Sequence, residues 1–165
     1  MIIGTSCSTK PCSETMIWLS TVDGAIKCKE WPPDVKTLSD DDKIRIIGYF
    51  LEEKGNRREA RISGVTREDV SQMFPRVTVE VAALFYASYI YYEKWDHCYG
   101  ITLVDEKGDF NTDAAIDEAY RLYKEWYEEI KRIGIKEARA RGLDPLGSSN
   151  RVYWYGNSKG QPPKI

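Results

Sequence analysis

From position 39 the apolar residues recur at helical spacing. Ser39 reads as an N-cap, and Asp40, Asp41 and Asp42 fill a first turn, where the helix dipole favours anions. Ile44, Ile47, Phe50 and Leu51 follow on one face until Gly55-Asn56 ends the helix. The acidic triplet reads as capping rather than a metal site, because three consecutive helical residues do not share a face. Positions 57–62 predict a short helix closed by Gly64. Thr66 opens another, with Asp69 completing an imperfect capping box and Pro75 as its boundary. Thr78 begins a helix reaching about Trp95 that is apolar nearly all round, through Val79, Val81, Ala82, Leu84, Phe85, Tyr89, Ile90 and Tyr92. Such a helix belongs at the buried centre of a fold. Thr112 starts the clearest amphipathic helix. Ile116, Ala119, Tyr120, Tyr123, Tyr127, Ile130 and Ile133 form its apolar stripe, Glu125, Glu128, Glu129, Lys131 and Arg132 its wet side, and Gly134 its end. A short helix over 135–141 then stops at Gly142.

Other stretches allow two readings. Positions 14–31 form either a hairpin about Asp23-Gly24 or a helix capped by Ser13 and running through Val22. Met16, Trp18, Leu19 and Val22 do not alternate cleanly, which favours the helix, and Pro32-Pro33 stops either element. Positions 101–104 are a strand entering a turn or the end of a helix that Gly108 terminates. Asp144-Pro145-Leu146-Gly147 is a loop, and Val152-Tyr153-Trp154-Tyr155 is aromatic enough to dock on the body. Positions 1–12 are expected to be loosely held and 157–165 to form a disordered tail. The fold class is therefore mainly α: a single compact domain over 13–156, with about five to seven helices. It contains a helix-turn-helix-like unit over 39–75, a central apolar helix over 78–95 and a long amphipathic helix over 112–133. At most a small β element is expected near 15–28, 101–110 or 151–155. No internal repeat is visible.

Composition narrows the class. The 165 residues are 42% hydrophobic and 30% charged, as in soluble globular proteins, and this excludes collagen-like and wholly disordered chains. A chain of this length can bury a core without disulfides or a metal. The net charge of −2 leaves no chain-wide basic footprint for nucleic acid. No secretory apolar stretch is evident, since Met1-Ile2-Ile3 gives way at once to Gly4-Thr5-Ser6-Cys7, and the most apolar run, 81–92, is too short to span a bilayer. A soluble cytoplasmic protein without membrane contact is expected. Cys7, Cys12, Cys28 and Cys98 then read as free thiols. Their spacing lacks the second close pair of a structural zinc site. Neither metal nor cofactor is expected.

Positions 56–75 carry the most specific motif. Ala60 occupies the small position of a first helix, Gly64 lies four residues on at the turn, and Val65, Val70 and Met73 sit where a second helix would cross. A larger residue at 60 would push the helices apart, and Gly64 suits a left-handed turn. This stretch, 20 of the 165 residues, resembles a generic helix-turn-helix. Gly64-Val65-Thr66 through Phe74-Pro75 is similar to tetracycline-repressor-like DNA-binding domains. The preceding helix is spaced differently from theirs, and the remaining chain is short for their ligand domain. In a DNA reader, Arg67 and Gln72 would suit base edges, and Arg57, Arg58 and Arg61, with Arg76, would hold phosphates. Glu68 and Asp69 oppose a polyanion, so DNA is not favoured as a partner.

Two further sites follow from residue type. Trp95-Asp96-His97-Cys98-Tyr99 holds the one histidine beside a thiol and a carboxylate, the kernel of nucleophilic catalysis. Sequence neighbours point to different faces, so His97, Cys98 and Asp96 read first as a helix-end histidine with its neighbours and only secondarily as an enzyme site. The aromatic surplus, 11 Tyr and 5 Trp against 4 Phe, points to a partner or homodimer surface. Tyr91 and Tyr92 on one helix, with Trp126 and Tyr127 on another, are its candidate contacts. The expected function is a small non-enzymatic regulator or interaction protein, acting through the helix-turn-helix-like unit or this aromatic surface.

Overall fold

The computed structural model describes residues 19–21, 35–62, 77–93, 101–147 and 149–155. The fold is mainly helical, with two small antiparallel sheets. In chain order the elements are β1 (Leu19–Thr21), a 3-10 turn (Val35–Thr37), α1 (Asp40–Leu51), β2 (Ala60–Ile62), α2 (Val79–Tyr92), β3 (Leu103–Asp105), α3 (Asp113–Ile133), α4 (Ile135–Ala140) and β4 (Val152–Trp154).

The helix starts obey their caps. Ser39 Oγ accepts from the Asp42 amide at 3.1 Å and opens α1, while Thr112 Oγ1 accepts from the Ala115 amide at 3.2 Å and opens α3. Helix α2 lies at the centre, buried from Val79 to Ala87 and again at Ile90 and Tyr91, as a sequence apolar nearly all round requires, with the carboxylate of Glu80 buried among these residues. Helices α1 and α3 pack with it into one core, α1 through Ile46, Ile47, Phe50 and Leu51 and α3 through Ala115, Ile116, Ala119, Tyr120, Tyr123, Trp126 and Ile130. Gly48 leaves room for the Tyr127 side chain of α3 against α1, because a Cβ there would overlap the Tyr127 hydroxyl.

Two helical expectations are corrected. Leu19–Thr21 is extended, not part of a helix running through Val22, and pairs antiparallel with Ala60–Ile62 in the register Leu19↔Ile62, Ser20↔Arg61, Thr21↔Ala60. The short helix expected over 57–62 is likewise absent: Ala60–Ile62 is a strand, and Glu59 bridges Thr78. The Ala60 amide donates to Val77 O at 2.8 Å, and the Val79 amide donates to Arg58 O at 2.9 Å. A helix of six residues is marginal on its own, and here the extended form finds non-local backbone partners on two sides, at 19–21 and at 77–79. The first helix of the helix-turn-helix-like unit is thus a strand, and positions 63–76, which hold its turn and second helix, lie outside the described residues.

The remaining small sheet falls where β structure was expected. β3 pairs with β4 in the register Leu103↔Trp154, Val104↔Tyr153, Asp105↔Val152, which docks Trp154 and Val152 into the core. Among the described residues no helix is long and apolar enough to cross a membrane. The expected N-terminal segment 1–12 and tail 157–165 lie outside the described residues, as do the four cysteines.

Candidate functional site

The aromatic surplus goes mostly inward. Tyr86, Tyr91, Tyr120 and Tyr123 are among the largest fully buried side chains. A buried phenol needs a partner for its hydroxyl, and several of these find one inside the fold. Tyr120 donates to Glu80 O at 2.8 Å, Tyr91 donates to Leu143 O at 2.7 Å, and Tyr123 shares a 2.5 Å bond with Ser88 while accepting from Trp154 Nε1 at 3.0 Å. Burial raises the Tyr120 hydroxyl well above its ordinary range and pushes Tyr91 up to about 12. So Tyr91 and Trp126, expected on a contact surface, lie in the core instead, their rings edge-to-face at 4.9 Å. Tyr92 and Tyr127 are half-buried, the first held by Asp144 and the second packed over Gly48 with Lys131 4.8 Å from its ring.

What remains outside is a different aromatic pair. Phe110 and Tyr155 are the large hydrophobic side chains exposed among the described residues, at 38% and 37%. Their rings meet edge-to-face at 5.6 Å and 86°. The backbone beneath them is tightly tied. Asp105 Oδ1 accepts from the Lys107 and Asp109 amides at 2.9 and 3.0 Å, and its Oδ2 accepts from Thr112 Oγ1 at 3.0 Å. Those bonds hold the Asp105 carboxyl below its ordinary range against the raising effect of burial, the largest single influence on it. Asn111, left-handed at φ 48°, accepts from the Leu103 amide through Oδ1 at 2.8 Å and returns its own amide to Leu103 O at 2.9 Å. Asparagine tolerates that conformation better than most residues. The Tyr155 amide donates to Thr102 O at 2.8 Å. Each ring of the pair therefore stands on a fixed segment of the β3–β4 sheet.

A second feature is a cleft of about 550 Å³ between α3 and the segment 143–151. Glu118, Arg121, Glu125 and Trp126 line it from α3, and Asp144 and Arg151 from the opposite wall. The Asp144 carboxylate is tied at every oxygen: Oδ1 accepts from the Leu146 and Gly147 amides at 2.9 and 2.6 Å, and Oδ2 accepts from the Tyr92 hydroxyl. Burial raises its pKa, and the three bonds oppose that rise. Arg121 is committed to the rim, donating to Glu118 from Nη2 and Nε at 2.9 Å each and to Glu125 from Nη1 at 2.6 Å.

Of the predicted nucleic-acid residues, the side chains of Arg57 and Arg58 are among those described. Arg57 stands with Nε 2.7 Å from the buried carboxylate of Glu80 and Nη1 2.5 Å from Asp113, so it clamps the starts of α2 and α3 together. Those two carboxylates raise its pKa further. Arg58 is exposed and donates to Asn56 Oδ1 at 3.1 Å. Arg61 lies in β2, while Arg67, Arg76 and Gln72 lie outside the described residues, together with Asp96, His97 and Cys98. Among the described residues no group of three or more His, Cys, Asp or Glu is placed to hold a metal.

Phe110, Tyr155 and Asp144 were not singled out as sites from the sequence. Asp144-Pro145 signals a side-chain-bonded turn, yet nothing local reveals that Tyr91 and Tyr92, 52 positions earlier, hold the turn against the body. Fold and surface together define a small, mainly α-helical protein with a fixed exposed aromatic pair and a pinned polar cleft. No protein-family model, curated protein or solved structure matches the chain.

Proposed function

We propose that this is a small non-enzymatic interaction protein that engages a protein partner through the Phe110–Tyr155 surface. The observation that carries the reading is the exposure of both rings on a rigid backbone. Water-facing aromatic rings are costly, and one held in place loses little conformational entropy on binding. Aromatic anchors of this kind carry much of the energy of natural interfaces. Regulation by association is the role such a surface supports.

The test compares quantitative affinity capture by the parent, by a Phe110→Ser/Tyr155→Ser variant and by Lys136→Ala, whose side chain is exposed on α4. A partner retained by the parent and by Lys136→Ala should bind the double variant at least about 30-fold more weakly, the effect of losing a hot spot of about 2 kcal/mol. Equal capture by the double variant, with an unchanged melting temperature, overturns the proposal.

A further inference from the structure

We infer that the cleft between α3 and segment 143–151 is a binding site for an organic cation, an ammonium or guanidinium group, with Asp144 as its counter-charge. This goes beyond the aromatic contact proposed above and uses a different surface.

The inference begins with how the Asp144 carboxylate is satisfied. All three of its hydrogen-bond donors, the Tyr92 hydroxyl and the Leu146 and Gly147 amides, are neutral. No lysine, arginine or histidine is paired with it among the described residues. The fold's other sheltered ionised groups are matched differently. Lys43, nearly fully buried, sits 2.6 Å from Glu93, which also holds Arg139 at 3.1 Å, and Glu80 is met by Arg57. Buried charges are as a rule paired, because Coulomb attraction must offset lost hydration. Asp144 breaks that rule at the wall of a cleft, where a ligand can supply the missing charge. The upward pull of burial on its pKa is the same imbalance expressed in protonation.

The surroundings favour a cation too. The residues lining the cleft include four carboxylates, Glu118, Glu125, Glu129 and Asp144, against two guanidiniums, Arg121 and Arg151, and Arg132 from outside the lining pairs with Glu129 at 2.5 Å, so the balance is one net negative charge. Arg121 is already forked between Glu118 and Glu125, which leaves Arg151 as the other cation of the lining. The volume of about 550 Å³ is within the range of small-ligand sites. Preorganisation completes the case. The Asp144 backbone is fixed by its own turn, its Oδ2 by Tyr92, and the adjacent carbonyl of Leu143 by Tyr91, so the carboxylate is held in place before any ligand arrives. A cation bound there adds the one interaction that the neutral donors cannot give.

The chemistry fits both a free amine and the basic side chain of a peptide, and the experiment separates them. Agmatine, the peptide acetyl-Gly-Arg-Gly-amide and its neutral Gln counterpart are titrated into the full chain at low ionic strength, followed by calorimetry and by the Asp144 carboxyl carbon signal. Saturable binding of agmatine or the Arg peptide is expected, with the Gln peptide inert and the Asp144 pKa falling on saturation. Tighter binding of the Arg peptide assigns the source to a protein side chain, and tighter binding of agmatine to a small metabolite. Asp144→Asn should weaken either by at least about tenfold, because it removes one member of a sheltered charge pair. Arg151→Glu, exposed and outside the Asp144 turn, should tighten both, and it decides the matter if Asp144→Asn does not fold. No saturable binding up to about 10 mM, weaker than specific recognition produces, overturns the inference. So does equal binding by folded Asp144→Asn, or unchanged or weakened binding by Arg151→Glu. The Phe110→Ser/Tyr155→Ser variant should bind the cations normally, so either proposal can fail alone.

Discussion

Replacing Tyr92 with Phe isolates the hydroxyl that holds Asp144. The substitution keeps the ring, which packs edge-to-face on Tyr91 at 4.8 Å, and deletes one donor to a sheltered carboxylate. A hydrogen bond to a charged group contributes about 1.5–3 kcal/mol, and the half-burial of Tyr92 places this one near the lower end. For a domain of this size about 1 kcal/mol corresponds to roughly 2–4 °C, so Tyr92→Phe should lower the melting temperature by about 3–6 °C at neutral pH. The effect should depend on pH, and its sign follows from linkage. The folded-state pKa of Asp144 is raised above its unfolded value by burial, so its protonated form is the one the fold favours. That contribution is fully present below the unfolded value and is lost as pH rises through the folded one. The Tyr92 bond counters this by favouring the ionised form, so Tyr92→Phe raises the folded pKa further. The variant should therefore lose most stability where Asp144 is ionised. Its deficit should shrink as pH falls towards about 4, the ordinary range of an aspartate, where only a neutral bond worth about 1 kcal/mol remains to be lost. Urea denaturation of both proteins at pH 7.5 and pH 4.5 reads this difference directly. A deficit below about 0.5 kcal/mol at neutral pH, or one that grows on acidification, refutes the assignment of Tyr92 as the carboxylate's anchor.

Two further outcomes follow from contacts in the fold. Gly48→Ala should destabilise the parent by about 1–3 kcal/mol through overlap with the Tyr127 hydroxyl, yet be neutral or stabilising by up to about 1 kcal/mol in a Tyr127→Phe background, where a helical alanine is preferred to glycine. Thermal melts of the four proteins decide it, and equal effects in both backgrounds would sink the close-approach explanation. Arg57→Ala should lower the melting temperature by leaving the buried Glu80 carboxylate without its cation, while Arg58→Ala should lower it less. Equal melting temperatures for these two variants would mean that Arg57 clamps nothing.

The helical character of this protein was legible in its residues because the signals are local. Ser39 and Thr112 cap the helices they were expected to cap, the mostly apolar run from Val79 forms the buried central helix, and α3 presents a stripe that reaches the core. Each depends on residues within one or two turns, where propensity and periodicity act. Tertiary structure decided the rest. Positions 57–62 carry nothing that separates a short helix from a strand, and only the carbonyl and amide of 77–79 and the strand at Leu19–Thr21 settle the choice. The fate of the tyrosines was equally hidden. A phenol on a helix is apolar enough for the core and polar enough for the surface, and its hydroxyl's partner selects between them. Tyr91, Tyr120 and Tyr123 meet theirs across 52, 40 and 31 or 35 positions and go inside. Phe110 and Tyr155, 45 positions apart by their numbering, meet each other edge-to-face and stay partly exposed. Asp144 follows the same rule: its turn is written locally in Asp-Pro-Leu-Gly, but its burial beside a cleft exists only once α2 brings Tyr92 to it.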